Sequence, residues 1–209
     1  MNYTEIVESS LDYSDRLTDT ELQNRVDVFL RVVESRIKKR LMVQKMAIRS
    51  YLVTQADMEY YTLPSDFNGL RDVEIKDSLN ATKKTTLAYV SPEQLNNAST
   101  NSMDIQSTIY YTIVANQIQI IPIQDENKIL EFVYYRNVLP LSSANLNNWV
   151  SDDYPDIYIF GLLVEISSFT KDAVAKELWD NRFKEALDEL EFSDSRTRWS
   201  GTALQVRVG

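Results

Sequence analysis

The chain contains no histidine and no cysteine among its 209 residues, and these two absences narrow its chemistry more than any other feature. The usual zinc and haem sites need imidazole or thiolate ligands, and general base catalysis most often uses histidine. Without thiols, the chain can form neither a disulfide nor a cysteine nucleophile. We therefore predict no cofactor, no metal site and no catalytic residues.

Glycine is also scarce, with only Gly69, Gly161, Gly201 and Gly209 in the whole chain. Phosphate-cradling loops and dinucleotide fingerprints need several closely spaced glycines. The nucleophile elbow of hydrolases has the same requirement. No pair of the four glycines has the necessary spacing, so the sequence excludes these three motifs.

Two groups of carboxylates remain as possible acid–base pairs. They are Asp152, Asp153 and Asp156 in one group, and Asp188, Glu189 and Glu191 in the other. The first group lies where a helix begins near Pro155, so capping and the helix dipole explain it. The second group is typical of a solvated helix face. The alternative is a cell-wall glycan hydrolase that uses these carboxylates.

The formal charge of −9 is unevenly distributed along the chain. Residues 193–209 carry three arginines and one aspartate, which gives +2 and leaves −11 for the remainder. An acidic body argues against binding nucleic acid through its phosphates, because that requires a basic face. The longest apolar run, residues 157–164, is too short to span a bilayer, so we predict no membrane contact.

Helical spacing dominates both ends of the chain. Apolar residues recur at intervals of three and four over residues 20–42 and again over 172–192, which predicts two amphipathic helices. Residues 155–170 are apolar on nearly all sides and predict a buried helix. A basic cluster in the last turns of the first of these helices complements the helix dipole, or it contacts DNA or a partner's acids. The cluster consists of Arg36, Lys38, Lys39 and Arg40.

Between the helical ends the apolar period changes to that of strands, which predicts an antiparallel β-meander. Helices from the two ends must meet to bury their apolar stripes, so the meander is expected to be an insertion in a helical bundle. The predicted fold class is α+β: a long N-terminal helix plus two C-terminal helices, the inserted meander, and an extended C-terminal arm. The predicted boundaries are 1–48, 49–137, 138–192 and 193–209.

The last segment, 193–209, alternates apolar and polar residues, which is the spacing of a strand. It has no neighbouring strand in sequence, so we predict an arm that docks on another chain; a frayed terminus is the alternative. Its arginines would contact anions and its apolar residues would anchor it, since Trp and Arg dominate interface energetics. These residues are Arg196, Arg198 and Arg207, and Trp199, Leu204, Val206 and Val208.

Several short sequence motifs follow one another in a characteristic order within residues 1–192. They are Tyr-Thr-Leu-Pro-Ser-Asp-Phe at 61–67, Leu-Arg-Asp-Val at 70–73, Ile-Gln-Ile-Ile-Pro at 118–122, Leu-Glu-Phe-Val-Tyr-Tyr at 130–135, Asn-Trp at 148–149, Tyr-Pro-Asp-Ile-Tyr at 154–158, and the helical set Trp179, Phe183, Ala186 and Leu187. In order and spacing, they resemble the head-to-tail adaptor (connector) proteins of tailed bacteriophages.

The resemblance implies a non-enzymatic structural protein of the virion neck, made in the host bacterial cytoplasm. Such adaptors form twelve-subunit rings whose C-terminal arms clasp the portal protein. The opposite face receives a tail nozzle or tail-tube protein, and genomic DNA passes through the ring without specific binding. Loops 96–106 and 142–153 are candidates for the tail-side contact. A binding module unrelated to phages is a further alternative.

Overall fold

The computed structural model describes residues 1–98, 108–124 and 126–199, and it has the mixed α+β composition expected from the sequence. The helices are α1 (Tyr3–Tyr13), α2 (Thr20–Arg40), α3 (Pro92–Ala98), α4 (Trp149–Asp153), α5 (Pro155–Phe169) and α6 (Ala173–Trp199). The strands are β1 (Ala47–Val53), β2 (Tyr60–Thr62), β3 (Phe67–Lys76), β4 (Thr85–Thr86), β5 (Ala88–Tyr89), β6 (Tyr110–Val114), β7 (Gln117–Ile121) and β8 (Ile129–Arg136). The chain divides into two compact units, residues 1–44 with 138–209, and residues 45–137.

The first unit is built around α5, against which α1, α2 and α6 all pack. Its side chains are buried on most sides of the helix, as its predominantly apolar sequence predicts. Gly161 lies directly against two neighbouring helices, because an added Cβ there would be 2.5 Å from Val33 Cγ1 of α2 and 3.2 Å from Phe183 Cε2 of α6. The missing side chain therefore lets α2 and α6 come close to the central helix.

A buried polar network ties the start of α5 to the segment before it. Asn148 caps α4 in a capping box with Ser151. The Asn148 side-chain Nδ2 also donates to the Leu139 carbonyl oxygen at 2.7 Å and to the Tyr158 hydroxyl at 2.8 Å. Burial raises the pKa of the Tyr158 phenol. Asn148 therefore fixes the loop and the helix together through groups that would be costly to bury without partners.

The described residues of the second unit form two four-stranded sheets, with strand orders β1-β8-β3-β4 and β2-β7-β6-β5. They share a hydrophobic core made of Tyr61, Leu63, Val73, Ile75, Leu87, Ile118, Ile120, Leu130, Phe132 and Tyr134. The strand order in these sheets differs from the predicted antiparallel meander. Strand β8 lies between β1 and β3, and β5 pairs with β6 in parallel. Periodicity identifies strands and their buried faces but does not specify which strands pair.

The opposite face of the first sheet holds a buried charge cluster. The Lys76 ammonium lies 2.6 Å from the Glu131 carboxylate, and both side chains are almost completely buried. Arg49 Nε and Lys84 Nζ lie 3.0 and 3.5 Å from the same carboxylate. The hydrogen bond from Lys76, with help from the surrounding cations, lowers the pKa of Glu131. Glu131 is therefore held ionised between three strands and a loop.

The predicted extended arm is wrong for residues 193–199, because α6 continues through Trp199. Residues 162–200 contain no glycine and no proline, so neither of these helix breakers ends the helix at residue 192. The Ser195 and Thr197 hydroxyls donate to the backbone oxygens of Phe192 and Ser193, which satisfies both polar side chains inside the helix. The rest of the predicted arm lies outside the described residues.

Substituting Gly161→Ala is expected to destabilise the first unit by about 1–2 kcal/mol, because the new methyl group overlaps Val33. Ser168→Ala is the matched control on the same helix. Since Ser168 is exposed, its change should stay within about 0.5 kcal/mol. Urea unfolding followed by circular dichroism measures both. Equal stability of the two variants would contradict the proposed close approach.

Glu131→Gln should destabilise the second unit by about 3 kcal/mol at pH 7, because it leaves the Lys76 ammonium buried without its counter-charge. The folded pKa of Glu131 is lowered, so its contribution is present above the unfolded pKa of about 4.3 and lost as pH falls through the folded value. The gap between wild type and variant should therefore close in acid. Glu74→Gln, which removes a more exposed ion pair with Lys84, should have a clearly smaller effect.

Candidate functional site

The C-terminal end of α6 is the described part of the predicted docking arm. Arg196, Arg198 and Trp199 lie in its last turns. The other predicted arm residues lie outside the described part of the chain. They are Leu204, Val206, Arg207 and Val208. The structure therefore places two of the arm's three arginines on a helix, and the docking role remains a prediction.

Arg196 is exposed and lies over the ring of Phe192, with its guanidinium carbon 5.9 Å from the ring centroid. Phe192 is itself 64% exposed. A cation over an aromatic face at an exposed site is worth about 0.5–1 kcal/mol. The pair gives the end of α6 an exposed surface that is both apolar and basic, which is the chemistry of common interface hot spots.

The base of this helical end is attached to the C-terminal end of α2. The backbone N–H of Gln44 donates to Asp194 Oδ1 at 2.7 Å. Arg40 donates through Nε to Glu191 at 3.3 Å and through its terminal nitrogen to Asp188. These contacts attach residues 188–194 of α6 to α2 and the turn after it, so the last residues of α6 follow an anchored segment.

Some residues of the basic cluster on α2 form ion pairs with other helices of the first unit. Arg36 lies between Glu165, at 3.6 Å, and Asp180, and its guanidinium carbon sits 4.7 Å from the centroid of the Phe183 ring. A hydrogen bond from Lys184, followed by those from Arg36, lowers the pKa of Asp180. Arg36 and Arg40 therefore link helices, whereas Lys38 and Lys39 are exposed.

Several members of the two carboxylate clusters make contacts that stabilise helices. Asp152 accepts a hydrogen bond from Asn147 at 2.8 Å in the capped turn of α4, and the neighbouring Asp153 is exposed. Asp156 falls in the first turn of α5, where a carboxylate suits the helix dipole. In the second group, Asp188 and Glu191 face Arg40 and Glu189 is exposed. Hydrogen bonding, the helix dipole and ion pairing therefore account for Asp152, Asp156, Asp188 and Glu191.

Across residues 1–98, 108–124 and 126–199, no three acidic side chains are grouped so that they could hold a metal ion. Within the same described ranges, the helices are too short or too polar for any of them to cross a membrane. The loops proposed for a tail-side contact are partly helical: 96–106 begins in α3, and 142–153 ends in α4. Residues 99–107 of the first loop lie outside the described part of the chain.

Taken together, the described residues form a mixed α+β module with an exposed, basic helix end as its best-defined candidate contact. The chain matches the model of the family described as SU10 adaptor protein over residues 1–207. Because this match covers nearly the whole chain, the chain belongs to the SU10 adaptor protein family, and the predicted membership of the adaptor family is confirmed. No curated protein matches the chain.

Arg40→Ala should loosen the end of α6, because it removes the cation that Asp188 and Glu191 share. The expected loss is about 0.5–1 kcal/mol of local stability, as for a partly exposed ion-pair network. Hydrogen exchange should accelerate over residues 188–199 and stay unchanged in α5. Lys39→Ala, at the adjacent exposed position, is the control and should leave both regions unchanged; equal acceleration in both variants would refute the attachment.

Proposed function

We propose that the chain is a structural subunit of a ring that joins the portal vertex of a phage capsid to its tail. The observation that carries this proposal is the family match over residues 1–207, which assigns the chain to an adaptor family. The ring of twelve subunits comes from the resemblance to head-to-tail adaptors. On this proposal, the protein resides in the virion neck after synthesis in the bacterial cytoplasm.

The C-terminal segment is the proposed portal contact. Arg196 over Phe192 gives α6 an exposed basic and apolar end, and the segment beyond it adds Arg207 and three alternating apolar residues. Such a segment fits an acidic surface with an apolar groove or a free strand edge. The attachment of residues 188–194 to α2 supports this proposal, because it gives the segment a rigid base.

The rest of the chain suits a passage for DNA and a contact with the tail. With a net charge of −9, the protein would repel the phosphate backbone, so DNA could move through the ring without specific binding. The ring face away from the portal would receive a tail nozzle or tail-tube protein. The charge pattern supports the first part of this proposal, and the second part follows from the resemblance.

A carboxylate-dependent cell-wall glycan hydrolase is the alternative function. Its support is the pair of carboxylate groups, and the exposed Asp152 and Asp153 are its best candidates. Cell-wall clearing by the purified protein that disappears in Asp152→Asn or Asp153→Asn would favour the hydrolase. The adaptor family favours a structural, non-enzymatic protein, so we expect no clearing by the wild type.

Deleting residues 195–209 should leave the fold intact and abolish binding to the portal protein. The truncation keeps Asp194 and its hydrogen bond to Gln44, so the base of the helix retains its support. Co-purification with the cognate portal, with circular dichroism as the folding control, measures both effects. Charge reversal of Arg71 and Lys83, two exposed cations of the second unit, is the matched surface control and should preserve portal binding.

Normal portal binding and particle assembly by the truncated protein would refute the role of the C-terminal segment. Failure of the full chain to bind its portal under any condition would refute the adaptor proposal as a whole. A protein that is monomeric in isolation is compatible with the proposal, because a ring can form upon docking.

A further inference from the structure

Helix α2 has an apolar pair on its solvent side. Val28 and Val32 are 58% and 41% exposed, and they lie one helical turn apart. The buried stripe of α2 lies on the opposite side of the helix, and consists of Leu22, Val26, Leu30, Val33 and Ile37. The valine pair therefore lies outside the buried stripe of α2.

Helix α6 has a second apolar pair with the same spacing. Val174 and Leu178 are 82% and 51% exposed, while the buried face of the helix carries Phe183 and Leu187 on its other side. Two exposed branched residues on adjacent turns form a small apolar stripe. The first unit thus has two separate apolar stripes, on two different helices.

The charges that follow the two stripes are complementary. Lys39 comes eleven residues after Val28, and Glu185 comes eleven residues after Val174. At 100° per residue, eleven residues return to nearly the same side of a helix, so each charge lies beside its own stripe. Both side chains are exposed. The α2 stripe is therefore followed by a cation and the α6 stripe by an anion, and each charge lies eleven residues after the first residue of its stripe.

The two helices also point in the same direction. Arg36 of α2 meets Asp180 of α6, and further along both helices Arg40 meets Glu191. In a twelve-subunit ring each neighbour is rotated by about 30°, so α2 of one copy and α6 of the next would still run in broadly the same direction. Small crossing angles are among the preferred geometries of helix packing.

We propose that the α2 stripe of one copy packs against the α6 stripe of a second copy of this chain. Val28 then lies near Val174, Val32 near Leu178, and Lys39 near Glu185 of the second copy. Because the two surfaces differ, the contact is heterologous and can repeat from copy to copy until it closes into a ring. This inference rests on the proposed ring and identifies the surfaces that build it.

The absence of native cysteine makes a direct test possible, since introduced thiols have no competitors. A chain carrying both Val28→Cys and Val174→Cys should form a ladder of disulfide-linked multimers under mild oxidation once it is assembled on its portal protein. Mixing the two single variants should yield covalent dimers, while each single variant alone should remain uncrosslinked. The pair Val28→Cys with Asp152→Cys, both exposed positions, is the matched control and should lose the ladder.

Charge reversal provides a second test that is independent of cysteine. Lys39→Glu or Glu185→Lys alone should weaken assembly about fivefold per contact, and the double variant should recover it. Dimers formed by Val28→Cys alone, or assembly of the wild type without a ladder in the double-cysteine chain, would overturn the proposed pairing while leaving the ring intact. A wild type that never assembles, even on its portal, would overturn both the pairing and the ring.

Discussion

The enclosure of α5 is the constraint on which the first unit depends. A helix that is apolar on nearly all sides must be covered on all of them, and no single neighbour can do so. The chain covers it with α1 and α2 from its beginning and α6 from its end, so residues before and after the inserted second unit must fold together. Gly161 makes this possible by allowing two of those helices to approach closely.

The helices could be predicted from the sequence because their apolar residues recur at clear intervals. The predicted helices at 20–42 and 155–170 agree with α2 and α5 within two residues. The sequence predicts the end of α6 seven residues too early, because the strand-like alternation at 204–208 suggests an extended segment that also includes residues 193–199. Those residues contain no helix breaker, and their hydroxyls are satisfied by the preceding turn.

Strand pairing and charge contacts could not be predicted in the same way, because they depend on residues far apart in sequence. Nothing near Glu131 indicates that Lys76 will be its partner, and nothing near Arg40 indicates Asp188 and Glu191. The pairing of Asp66 with the Tyr134 hydroxyl, at 2.8 Å, belongs to the same class. Burial and this hydrogen bond raise the pKa of Tyr134 to about 12.

Several of the sequence motifs on which the resemblance rests make contacts that stabilise the fold. Asn148 fastens the start of α5, and Asp66 and Phe67 contact Tyr134. The resemblance therefore rests on residues that determine the fold, whereas the proposed contacts with partners depend on exposed side chains. For that reason the family could be inferred from the sequence. The proposed partner surfaces depend instead on the directions of the helices and on the exposed fractions of their side chains, which only the structure gives.

A symmetry-resolved electron microscopy reconstruction of the virus neck would test the central claim most directly. The adaptor account predicts a ring of this chain between the portal and the tail, with the C-terminal end of α6 directed at the portal. A neck that contains the portal and tail without this chain would contradict the account.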